Sequence, residues 1–194
     1  MAISIRPESG NMNALLFSNE QQGLPMTLFL SITLDLKALE FQGETEKTSI
    51  QLDFIEVDFR SFSDIENKEF EFPVNPEDGY IDGSVYLDGQ HIPVDVNRIK
   101  FLSFDGNDIQ AEFSGKVLFG YCGYKDSDQD FMLSARLRFD HILIPPNIIS
   151  AGKQNLDVAN NMMSEFFNIT ELSEPVIENN GFRDAIVFHK SVSN

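Results

Sequence analysis

The most metal-like stretch of the chain is Asp126-Ser127-Asp128-Gln129-Asp130, with three carboxylates at alternate positions. Oxygen ligands at this spacing open a calcium-binding EF-hand loop, which then needs Gly at its sixth position and Glu at its twelfth. Those positions hold Phe131 and Leu137, so the motif fails, and a solvated acidic loop between strands accounts for the run. His91, His141 and His189 show no metal-ligand spacing, and Cys122 has no ligand beside it in sequence. No metal and no cofactor are expected. As a nucleophile, Cys122 would need a cation or a helix N-terminus to depress its pKa. Lys125 is close, but so are three Asp, and a small residue in a turn is the plainer reading. There is no Gly-x-Ser-x-Gly for a serine hydrolase. Gly120 and Gly123 precede no predicted helix that would cradle phosphate. The chain has 31 Asp and Glu, so a pair able to do acid–base work is always available by chance, and none is assigned.

The distribution of those acids is more informative. The formal net charge is −17, and residues 35–82 hold 14 acidic against 4 basic side chains, a net −10. Asp53, Glu56 and Asp58, with Glu66, Glu69 and Glu71 beyond them, are expected to form an acidic face. Phosphate affinity comes from Lys and Arg, so nucleic acid is excluded as a partner, and an anionic membrane surface is disfavoured for the same reason. A basic protein would be steered towards such a face. A solvated strand surface that only confers solubility would carry the same charges.

The elements that must position these groups are strands. Leu28, Leu30, Ile32, Leu34 and Leu36 alternate with Phe29, Ser31, Thr33, Asp35 and Lys37, a period of two that puts each set on its own face. A strand from Thr48 to Phe59 follows, with Ile50, Leu52 and Phe54 in one phase and Ile55, Val57 and Phe59 in the other. That shift predicts a β-bulge near Phe54-Ile55. Phe70 and Phe72 suggest a shorter strand. Asp88-Gly89 and Asp105-Gly106 sit between alternating segments and read as hairpin turns. Asp82-Gly83 reads as a kink or bulge within a strand. The strand after Gly89 shifts phase near Asn97-Arg98, and residues 109–119 and 131–139 alternate without a break. His141 continues the inward phase of Phe131–Phe139, which predicts a buried, hydrogen-bonded ring. Residues 1–25, with Pro7, Gly10, Gly23 and Pro25, are expected to be an irregular lead-in with a short helix near Asn13–Phe17. Leu156, Ala159, Met163, Phe166 and Phe167 recur at helical spacing and predict one amphipathic helix over 155–167. Ala185–Phe188 closes the pattern as a last short strand.

The expected fold is therefore mainly β: an antiparallel barrel, or a strongly curved sheet or sandwich, of about seven or eight strands with one C-terminal helix. One domain over 1–194 is expected, since 42% hydrophobic residues and 18 Phe supply a core and no linker divides the chain. One cysteine permits no intrachain disulfide, and no apolar run approaches the roughly 20 residues of a membrane span. A cytoplasmic location is the expectation. Asp82-Gly-Ser-Val-Tyr-Leu-Asp-Gly-Gln-His-Ile-Pro-Val94 resembles a strand–turn–strand of lipocalin-like lipid-binding barrels. The resemblance spans thirteen residues, includes no functional group and transfers no site.

Three functions fit these bounds. The first is a non-catalytic protein acting by protein–protein contact, in its sharpest form an inhibitor or immunity-type protein against a basic toxin or nuclease. The second is a carrier of a small apolar ligand held inside a closed barrel. The third is an enzyme whose site emerges only in three dimensions.

Overall fold

A computed structural model describes residues 3–124, 128–179, 181 and 183–191. The aspartate run discussed above therefore lies partly outside the described residues. Twelve strands form: β1 (Pro7–Asn19), β2 (Leu24–Leu36), β3 (Leu39–Phe41), β4 (Glu44–Glu46), β5 (Ser49–Glu56), β6 (Glu69–Glu71), β7 (Asp82–Leu87), β8 (Gln90–Phe104), β9 (Asp108–Val117), β10 (Gln129–Ile144), β11 (Val176–Asn179) and β12 (Asp184–His189). The helix α1 spans Leu156–Met163, shorter than the periodicity suggested. Beyond it, the turn carrying Phe166 and Phe167 still bonds back to the carbonyl of Met163.

Ten strands make one sheet, and seven of them curl into a ring in the order β1-β2-β5-β7-β8-β9-β10. Neighbours within that order are antiparallel. The ring closes through a parallel pairing of β1 with β10, from Gly10 opposite Leu137 to Leu15 opposite Leu143. Closure removes the two edges that an open sheet of this length would expose. β12 and β11 continue from β10, β6 lies beside β8, and β3 with β4 forms a separate hairpin.

The lead-in expected over 1–25 is corrected by β1. Met12, Ala14 and Leu16 are buried, while Asn11 is exposed and Asn13 half-buried. Only three apolar side chains mark the inner face, and apolar Leu15 and Phe17 on the outer one blur the alternation. Gly10 leaves room here: a Cβ would lie 2.5 Å from a Leu137 methyl, which would have to shift, and 3.2 Å from the Arg136 carbonyl at the point where the ring closes.

The ring interior is filled. Leu16, Leu30, Ile99, Phe101, Phe113 and Leu137 are fully buried in one continuous apolar cluster. At one end, Phe59, Phe62, Phe139 and Phe167 pack edge to face, with centroids 4.7–5.7 Å apart, and bring the tail that follows α1 over the opening. Towards the other end, Phe41 of β3 stacks on Phe119, 5.9 Å away, and meets Tyr124 at 5.5 Å.

Bulges tune which side chains reach the outer surface. In β5, Leu30 pairs with Ile55 and Ile32 with Leu52, so β5 carries one extra residue there. Phe54 sits at φ +57°, a left-handed conformation that a bulky residue adopts at a cost. In β8 the register shifts between Val96 and Arg98. In β10, Met12 pairs with Phe139 and Ala14 with Ile142, so β10 gains a residue at Asp140-His141. The inward placement expected for His141 is thereby corrected: its ring is only half-buried and lies next to the Asp140 carboxylate, Nδ1 to Oδ2 3.0 Å.

Candidate functional site

The β5 bulge sends two consecutive side chains, Asp53 and Phe54, away from the core, with Glu56 following on the same side. Phe54 remains 45% exposed. It meets Phe17 of β1 and Phe29 of β2 edge to face, with centroids at 5.8 and 5.7 Å, and those two rings are 6.3 Å apart. Glu56 pairs directly with Phe29 across the strands. Where β5 ends, the chain runs on past Glu56, Asp58 and Arg60, beside Met26 and Thr27 of β2 and opposite Glu165 and Phe166. These residues line a groove of about 320 Å³. Arg60 is fixed from both sides, its N–H donating to Asp64 and its carbonyl accepting from the N–H of Asn168.

The structure thus brings Glu56 and Asp58 to one groove, with Asp53 at the bulge just before it. It adds Glu165, which sequence reasoning missed because it lies over 100 positions away. Phe17 and Phe54 were also missed as surface groups; the phase shift in β5 was the available signal for Phe54. The other predicted acids lie elsewhere. Glu66 is exposed after the short 3-10 turn Ser63–Ile65. Glu69 on β6 is already paired with Arg98 (3.1 Å) and Lys100 (3.8 Å) of β8. Glu71 lines a separate cleft with Phe72 and Arg98. The acidic stretch is therefore divided between places: Glu69 is ion-paired, while Glu56 and Asp58 share a groove with Arg60 and form no ion pair among the described residues.

An apolar aromatic centre with a rim of carboxylates can shed water from its middle and attract charge at its edge. It suits a surface rich in Lys and Arg, whose aliphatic stems lie on aromatic rings while their heads meet carboxylates. Among the described residues, the groove lining holds no Cys, Ser or His.

Two other charged clusters are internally compensated. The buried carboxylate of Asp108 takes Arg136 Nε at 2.6 Å and Arg138 Nε at 3.4 Å. Asp105 accepts N–H bonds from Asn107 and Asp108, and these, with Arg136 nearby, hold its carboxyl below the usual range. His189 lies opposite His141 across β12 and β10, with rings 6.3 Å apart. A bond between its Nε2 and Glu178 of β11, at 2.8 Å, is the main reason its pKa is raised, against a smaller opposing effect of burial. Among the described residues, no group of three His, Cys, Asp or Glu is placed to hold a metal. The Cys122 thiol donates to the carbonyl of His91, 3.3 Å away.

The His189 contact has a pH consequence. A histidine whose folded pKa exceeds its unfolded value of 6.5 contributes stability that is complete below that value. The contribution is lost as pH rises through the higher folded pKa. Because the pair is partly solvated, we expect it to contribute under about 1 kcal/mol. Urea midpoints measured at about pH 6 and about pH 8 should fall further for the wild type than for His189→Gln. Equal falls would show that the contact is energetically silent.

No family model, curated protein or solved structure matches the chain. No helix of the described residues is long and apolar enough to cross a membrane.

Proposed function

We propose that this protein is a non-catalytic binding protein that docks a basic protein partner on the Phe17–Phe29–Phe54 patch and the adjoining Glu56–Asp58–Glu165 groove. The sharpest form of this reading is an inhibitor or immunity-type protein acting in the cytoplasm. Its carboxylates would occupy the positions on a basic toxin or nuclease where phosphates otherwise sit. The observation that carries it is Phe54: a bulky ring held exposed, in a left-handed conformation, beside unpaired carboxylates. Local strain retained at a surface position points to use rather than to stability. The net charge of −17 would speed the encounter at low ionic strength. The alternative, a carrier with an apolar ligand inside the ring, has less support because fully buried side chains fill the interior positions.

The test is capture from the lysate of the source organism with wild type and with the double variant Glu56→Lys/Asp58→Lys, each at low and at high salt. The expected result is a basic partner bound by the wild type and lost at high salt. The double variant should bind it roughly 100-fold more weakly and melt as the wild type does, since both positions are exposed. A captured partner that is neutral or acidic, or one held equally by the double variant, would sink the reading.

A further inference from the structure

A larger cleft opens on the outer surface of β8 and shares no residue with the acidic groove. One edge of β8 is covered by β7 over Gln90–Pro93 and by β6 over Arg98–Lys100. Between those two pairings the chain leaves the sheet after Phe72 and returns at Ile81, building one wall. The opposite wall is the 3-10 turn Phe119–Cys122 at the end of β9. It is tied to β8 by the Leu118 N–H on the Pro93 carbonyl, 2.9 Å, and by the Cys122 thiol on His91. The space enclosed is about 670 Å³, and Tyr80, Asp82, His91, Asp95 and Tyr121 are among its lining residues. That volume is in the range of small-molecule sites, roughly 300–1,000 Å³.

Among the described residues the lining includes two carboxylates and three aromatic rings but no Lys or Arg. Asp95 occupies an outward position between the buried Val94 and Val96, and it is itself half-buried. Burial raises its pKa, the charge of Asp128 adds to this, and only Lys116 opposes it. Lys116 faces Asp95 on β9, but its ammonium lies 3.5 Å from Asp130 on the far side. Among the described residues, neither Asp82 nor Asp95 has an ion-pair partner. A partly desolvated carboxylate whose facing cation, Lys116, is shared with Asp130 is incompletely compensated, which a bound cation would relieve. Tyr80, His91 and Tyr121 of the same lining supply faces for a cation and for the apolar body that carries it.

We propose that this cleft binds a small organic ammonium ion, its charge against Asp95 and Asp82 and its apolar part against Tyr80, Tyr121 and His91. The assignment is independent of the protein-docking reading.

The experiment is calorimetric and NMR titration of the protein with benzylammonium chloride, alongside its neutral isostere benzyl alcohol. Saturable benzylammonium binding is expected, with shifts at His91 and Tyr121 and at least tenfold weaker binding of the alcohol. Asp95→Asn should weaken the amine by about tenfold or more while melting no lower than wild type, because it removes a desolvated charge. Tyr121→Ala, at a residue 82% exposed and so tolerant of change, should weaken it about threefold. No saturable binding to wild type, equal binding of the alcohol, or full affinity in both variants would overturn the assignment.

Discussion

Gly83→Ala should lower the unfolding free energy by about 3 kcal/mol, although it adds a single methyl group to a strand. The reason is spacing. A Cβ on Gly83 would lie 2.1 Å from the Val94 carbonyl oxygen and 3.2 Å from a Leu52 methyl. The first neighbour is backbone, which cannot rotate away as a side chain can. Gly115 presents the same situation from the opposite side of β8, where a Cβ would lie 2.1 Å from the Asp95 carbonyl oxygen. β8 is thus gripped between two glycine contacts at Val94–Val96, the same residues that present Asp95 to the cleft. Urea unfolding of Gly83→Ala and Gly115→Ala measures the effect. Losses below about 1 kcal/mol in both would mean that the strands can separate freely there.

Phe62→Ala should cost about 3–5 kcal/mol. Phe62 is 1% exposed and touches three rings: Phe104 at 5.7 Å, Phe139 at 4.7 Å and Phe167 at 5.0 Å. Its backbone N–H donates to Glu171 Oε2 at 2.8 Å, so the residue joins the segment after β5 to the tail that follows α1. Removing the ring leaves a cavity among partners held by three separate segments, with little freedom to collapse. Phe54→Ala is the contrast. It loses edge contacts with Phe17 and Phe29, but the exposed position leaves no cavity, so the cost should stay near 1 kcal/mol. Chemical denaturation of the two variants side by side should separate them clearly. A Phe54→Ala loss as large as that of Phe62→Ala would mean that Phe54 serves the fold, and it would weaken the docking proposal.

These two phenylalanines show why the sequence was legible in some places and not in others. Phe62 sits in no alternating run, so nothing local distinguishes it from an exposed loop residue. Its burial is decided by segments more than forty residues away. Phe54 lies in an alternating run, and the change of phase there predicted the bulge that the register of β2 against β5 shows. The turn at Asp88-Gly89, where both residues have positive φ, and the one at Asp105-Gly106 were legible for a similar reason. Their backbone requirement is met by two adjacent residues. β1 was missed because Pro7 and Gly10 read as breakers, whereas Gly10 lies within the strand, paired opposite Leu137 of β10. The sites divide in the same way. Glu56 and Asp58 were picked out by charge and strand phase, but Phe17 and Phe29 join them only through the pairing of β1, β2 and β5, and Glu165 only through the packing of the segment after α1. Asp95 and Tyr121 carried no signal of a site, and Asp82 was legible only as part of a strand kink.

Period-two alternation, turn residues and charge balance are local properties, so the chain by itself determined a mainly β protein with a curved sheet, one helix near its C-terminal end and a strongly acidic surface. Closure of the ring by a parallel pairing of its first strand with β10, the division of the acidic stretch between a groove and an ion-paired strand, and the cleft beside β8 were decided by tertiary structure. Each depends on which distant segments come within a few ångströms, and that is set by the packing of the filled core rather than by any residue's immediate neighbours.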